Sequence, residues 1–204
     1  MIALFGGTFN PVHEGHISLA LEVKDAFNFE SIEFLPSYIS VHRDTPRVSA
    51  EFRKHLVELA LEPYPCLKLN SCEIDRHGPS YAIDTVEFMT DKYPQQSICW
   101  LMGADSFNSF LSWKNPQEIL QKANLIVCTR PDIEIDSNIF PSLYLKSNES
   151  LDDFNSGRIV FHEMQPNSCS STKIRQLLKQ QLSVSGCLPQ PVLEFIHTNN
   201  LYKT

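Results

Sequence analysis

The chain has 204 residues, with 17 Lys+Arg against 24 Asp+Glu for a formal net charge of −7, and it is 42% hydrophobic and 20% charged. Those proportions belong to a globular protein long enough to bury its own core, which excludes dependence on disulfide or metal staples. The acidic balance excludes a general nucleic-acid binder, whose basic patches displace counterions from phosphates, yet a small phosphorylated ligand answers only to the charges around its own site.

Short apolar runs alternate with stretches of helical period. Ile2 to Phe5 precedes Ile17 to Phe27, Ile32 to Leu35 precedes Phe52 to Leu61, and Leu67 to Leu69 precedes Tyr81 to Tyr93. Ile98 to Met102 leads into a helix predicted over Asp105 to Leu120, Leu125 to Cys128 reads as a buried strand, and Ile159 to Phe161 as another before a helix from Ser170 to Gln181. Pro189 to Thr198 is a terminal helix with Val192, Leu193 and Ile196 at helical spacing. This alternation predicts an α/β protein, a doubly wound, Rossmann-like parallel sheet with helices on both faces, in one domain over 1–204. Ligands of such sheets bind beyond the carboxyl ends of the strands. Residues 131–157 break the rhythm with six acids and one base (Lys146), a net −5 out of the total −7, and read as an exposed acidic insertion or long loop.

Six cysteines lie without any Cys-x-x-Cys pair, and the chain opens on Met-Ile-Ala-Leu-Phe-Gly-Gly rather than a charged and then apolar leader. The expectation is a cytoplasmic protein with reduced thiols, Cys99 and Cys128 serving as buried small hydrophobes inside strands. No apolar run approaches the ~18 residues of a membrane span.

The first strand runs into Gly6-Gly7-Thr8-Phe9-Asn10-Pro11-Val12-His13-Glu14-Gly15-His16 and then an amphipathic helix. Two glycines at a strand end would let a nucleotide approach the backbone, and the helix start offers free N–H groups and a positive dipole end to an anion. His13 and His16, three apart, share one face and can reach the same phosphate. Other signatures fail: Thr8 stands where Gly-x-Gly-x-x-Gly needs its second glycine, no Gly-Lys dipeptide exists, and the second histidine is one residue early for His-Glu-x-x-His. Ser170-Ser171-Thr172-Lys173 matches Ser-x-x-Lys without the companion motifs of that enzyme class. Ser170 is instead placed to cap a helix with an apolar face of Ile174, Leu177 and Leu178, and Arg175 in its first turns offers a fork of donors to phosphate oxygens.

The Gly-Gly-Thr-Phe-x-Pro-x-His-x-Gly-His segment resembles the signature of the nucleotidylyltransferase superfamily. With His42-Arg43, Pro79-Ser80-Tyr81, Thr85, Gly103-Ala104-Asp105, Trp113, Arg130-Pro131, Ser170 to Arg175 and the tail Leu188 to Val192, nearly the whole chain resembles the bacterial nicotinate-nucleotide adenylyltransferases. The resemblance implies that the phosphate of nicotinate mononucleotide attacks the α-phosphorus of ATP in line, giving nicotinic acid adenine dinucleotide and pyrophosphate. It implies His13, His16 and Arg175 as catalytic residues, and an ATP site formed by Gly6, Gly7, Thr8, Phe9, His13, His16, Arg130, Ser170, Ser171, Thr172 and Arg175. The acceptor site it implies comprises His42, Arg43, the helix start Ser80-Tyr81-Ala82 for the nicotinate carboxylate, Thr85, Gly103, Asp105 on the ribose and Trp113 stacked on the pyridine ring. Mg²⁺ is expected on ATP, held by phosphates and water, with no metal site of protein ligands. The chain departs from the pattern at Asn10, Ser40-Val41, Ala82 and Lys114, the last standing where an aromatic often follows the tryptophan. ATP and nicotinate mononucleotide are the implied partners, without nucleic acid or membrane, and a homo-oligomer is compatible with the sequence. Three alternatives stay open: a nucleotide-binding regulatory module without catalysis, and adenylyl transfer to nicotinamide mononucleotide or to phosphopantetheine.

Overall fold

A computed structural model describes residues 1–41, 46–130 and 133–203. The strands are β1 (Ile2–Gly7), β2 (Ile32–Pro36), β3 (Ile39–Ser40), β4 (Leu67–Leu69), β5 (Pro79–Ser80), β6 (Ile98–Gly103), β7 (Ala123–Thr129) and β8 (Ile159–Glu163). The helices are α1 (Glu14–Ala26), α2 (Ala50–Leu61), α3 (Cys72–Arg76), α4 (Ala82–Lys92), α5 (Ala104–Asn108), α6 (Pro116–Lys122), α7 (Ser171–Lys179) and α8 (Gln190–Thr198).

Six strands make one parallel sheet in the order β4-β2-β1-β6-β7-β8, and β3 pairs with β5 outside it. From β1 the chain moves outward to β2 and β4, then returns to the other side of β1 at β6. The direction of winding therefore reverses between β1 and β6, which opens a crevice beyond their carboxyl ends. The first five residues of β6 are all buried, as a central parallel strand covered on both faces requires. One apolar layer joins Ile17 and Ala20 of α1, Leu56 and Val57 of α2, Ile174 of α7, and Val192 and Ile196 of α8. The opposite layer joins Ile83, Val86 and Met89 of α4, Phe107 of α5 and Ile119 of α6. The doubly wound α/β class is thus what the alternation of runs foretold.

Three expectations are corrected. The single helix over Asp105 to Leu120 is broken into α5, a 3₁₀ turn at Phe110–Ser112 and α6. Asn115 takes a left-handed φ of 53° and Pro116 follows at the first helical position, so the chain leaves the helix and restarts, with Trp113 in extended backbone at the break. Residues 133–157 are not merely exposed chain. Ile139 and Leu151 are buried on opposite layers, Tyr144 bridges to Ile159, and buried Asn124 donates to Phe154 O while accepting from the Arg158 N–H. Finally, the thiols are not all reduced: Cys169 and Cys187 form a disulfide across 18 positions, while Cys99 and Cys128 are free and buried in strands. No helix among the described residues is long and apolar enough to cross a membrane.

Candidate active site

The carboxyl end of β1 delivers the first motif to the crevice. Its glycines make room inside the fold. A Cβ on Gly6 would lie 2.6 Å from Cζ2 of Trp100, and one on Gly7 would lie 3.0 Å from the Phe9 ring. The space they leave is filled by aromatic side chains of the fold itself. Phe9 is likewise a packing residue, buried against Phe5 and Phe34.

His13 caps α1 in extended backbone and His16 stands in its first turn. Their rings stack with centroids 3.7 Å apart, and Phe9 meets His16 edge-on at 5.0 Å. The His13 N–H donates to His16 Nδ1 at 3.2 Å. A neutral His16 therefore carries its proton on Nε2, the nitrogen left as a donor. His13 is nearly enclosed, and burial, helped by the Arg130 guanidinium, pulls its pKa down from 6.5 to about 4. Arg130 follows the end of β7, and its charge is felt at His13. Next to Arg130 a cavity of about 380 Å³ opens between Ile133, Ile135, Tyr144 and Phe161.

The start of α7 meets the first motif. Ser170 Oγ accepts from the Lys173 N–H at 3.2 Å, Ser171 Oγ donates to Pro11 O at 2.9 Å, and Arg175 donates to Asn10 O at 2.8 Å and to Thr172 Oγ1 at 3.3 Å. The Ser171 hydroxyl thus donates to the junction while Ser170 Oγ accepts within the cap, and the α7 start offers an anion its backbone N–H groups and positive end. The disulfide reinforces this junction: Cys169 precedes the α7 cap, and Cys187 O accepts from the Glu14 N–H at the α1 start, at 3.0 Å. Sequence reasoning missed Arg53, which is 1% exposed and donates to Thr8 O at 2.7 Å, Ser37 O at 2.6 Å and Tyr38 O at 3.1 Å. A signal existed, because Arg53 shares helical spacing with buried Leu56, Val57 and Ala60 on the inner face of α2.

On the other side of the crevice, α4 begins at Ala82 after Tyr81, whose side chain makes no cap. Thr85 sits in a buried polar network. It is fully buried, and its hydroxyl donates to Glu73 Oε1 at 2.8 Å while Oγ1 receives Arg76 Nη2 at 3.3 Å. Glu73, also missed, lies buried in α3, where burial pushes its carboxyl up and hydroxyl bonds from Thr85 and Ser80 oppose the shift. Ser80 Oγ in turn accepts from the Tyr38 N–H at 2.9 Å, so one buried carboxyl fastens α4, β5 and the chain leading to β3. No periodicity marks Glu73, because α3 spans only five residues. Trp113 meets Trp100 edge-on at 6.3 Å and Phe110 at 5.4 Å, while Gly103 ends β6 and Asp105 stands exposed in the first turn of α5. The sheet thus brings the His13 and His16 pair, Arg130 and the α7 start together. His42 and Arg43 lie outside the described residues.

Comparison with known proteins bears on this geometry. The family model described as cytidylyltransferase-like matches residues 4–177. A protein of Marinomonas sp. (strain MWYL1) named "Probable nicotinate-nucleotide adenylyltransferase" is 35% identical over 208 residues, covering 99% of this chain and 94% of its own. A protein of Shewanella frigidimarina with the same name is 34% identical, with 99% of each chain covered. Among solved structures, Plasmodium falciparum nicotinic acid mononucleotide adenylyltransferase complexed with NaAD superposes with a TM-score of 0.79 at 14% identity, covering 98% of this chain and 96% of that one, which is a likeness of fold.

Proposed function

Because the chain belongs to the cytidylyltransferase-like family, and within it aligns over its length with nicotinate-nucleotide adenylyltransferases, we infer that it transfers the adenylyl group of ATP to nicotinate mononucleotide. The acceptor phosphate attacks the α-phosphorus in line, the bond to the bridging oxygen breaks, and nicotinic acid adenine dinucleotide and pyrophosphate leave. In-line transfer asks the protein chiefly for positioning and for stabilisation of growing negative charge. The observation that carries this reading is the stacked His13 and His16 pair at the α1 start, facing the crevice together with the α7 start.

In this reading the two helix starts hold the triphosphate, His16 donates to the oxygen that becomes pyrophosphate, and Arg130 and Arg175 supply fixed positive charge. Among the described residues, no three or more His, Cys, Asp or Glu side chains gather into a metal cage. Mg²⁺ arriving on ATP suits such a site, since it takes phosphate oxygens and water as ligands. Its chemistry when bound would be charge neutralisation on those oxygens. The acceptor takes the start of α4 with Trp113 against its ring, and the reaction belongs to the cytoplasm.

Pyrophosphate release by the purified chain with ATP and nicotinate mononucleotide tests the reading. Turnover is expected, and His16→Ala should lower it by about 100-fold or more with the fold intact. No release with this acceptor, or near-normal turnover in His16→Ala, overturns the assignment or the role.

A further inference from the structure

Lys114 follows Trp113 at the break between the 3₁₀ turn and α6. Its Nζ reaches across to the start of α4, where it lies 3.1 Å from Asp84 Oδ1 and 4.5 Å from the centroid of the Tyr81 ring. Tyr81 is the residue before the helix, and Asp84 is the acid of its first turn. An acid there suits the helix dipole of an empty protein, but it opposes a second anion brought to the same N–H groups. The ammonium cancels that charge from a position tied to Trp113 by a single peptide bond. The pair is half-exposed, its side chains 45% and 34% accessible, so packing demands little of it. What the lysine changes is the net charge beside the α4 start, which the pair brings back to neutral.

We propose that Lys114 is an acceptor-specificity residue, which by neutralising Asp84 lets the α4 start prefer a ring bearing a carboxylate over one bearing a neutral carboxamide. This rests on the assignment of the α4 start to the acceptor. Lys114 and Asp84 then act in opposite senses. Removing the lysine leaves Asp84 to repel the carboxylate; removing the acid leaves Lys114 to attract it; removing both returns the site close to its starting balance. A residue that merely braced Trp113 would affect both acceptors alike.

Steady-state kinetics of the wild-type chain, Lys114→Met, Asp84→Asn and the double variant, with nicotinate and nicotinamide mononucleotides as acceptors, reads this out. Lys114→Met should raise KM for the carboxylate acceptor about three- to tenfold and leave that for the carboxamide within about twofold, as expected of one charge at a partly exposed site. Asp84→Asn should move the preference the opposite way, the double variant should fall back to about the wild-type ratio, and high salt should flatten the differences. Equal changes for both acceptors, or single variants that shift the ratio in the same direction, overturn the proposal. Wild-type protein that turns over neither acceptor overturns the enzyme reading with it, whereas an active wild type with unchanged ratios in the variants overturns the role of Lys114 alone.

Discussion

His13 takes up a proton reluctantly in the folded protein, where its pKa is about 4, and readily in the unfolded chain, where 6.5 applies. A depressed pKa contributes stability that is present above the unfolded value and lost as pH falls through the folded one. Between pH 6.5 and 4 the difference amounts to about 3 kcal/mol at most. Urea denaturation at pH 7 and at pH 4 should therefore show a steeper loss for wild type than for His13→Gln; equal losses would mean that His13 does not carry the linkage. At Gly6 the constraint is steric. Gly6→Ala puts a methyl into the Trp100 ring, which itself packs against Trp113, and should cost about 1–3 kcal/mol in a denaturation experiment. An unchanged midpoint would show that the ring yields freely. The glycine pair was legible as a signature while its steric role was not, because a sequence does not say which ring will occupy the space a glycine leaves.

Elements were legible in proportion to their length and regularity. α1, α2, α4, α7 and α8 each span nine residues or more with an apolar face, and their positions follow from that face alone. α3, β3 and β5 are two to five residues long, too short for any period to declare itself, yet they fasten the start of α4 through Glu73 and Ser80. The break that frees Trp113 was written in Asn115-Pro116, and the continuing apolar spacing from Phe107 to Leu120 hid it. Arg53 joins α2 to the first motif: three backbone carbonyls depend on its guanidinium. Arg53→Met keeps most of the stem and strands those acceptors, so a loss of about 3 kcal/mol or more is expected by thermal or urea unfolding. A loss below about 1 kcal/mol would show that water replaces the guanidinium.

At the scale of the whole molecule, winding reverses between β1 and β6, with α1 and α7 packed in one layer and α4 in the other. The acidic bias is a property of one segment. With residues 131–157 accounting for −5 of −7, the remaining 177 residues are close to neutral.

The Cys169–Cys187 bond closes a loop of sequence separation 18 around α7. Its effect lies mostly in the chain that is not folded: a ring of that size forbids many extended conformations and so disfavours unfolding by about 3 kcal/mol on the loop-entropy account. In a reducing compartment that contribution vanishes while every native contact can remain. The hydrogen bonds from Ser171 to Pro11 and from Arg175 to Asn10 then still join the start of α7 to the first motif. The protein thus has two stabilities for one fold, and the thiol chemistry of its surroundings selects between them.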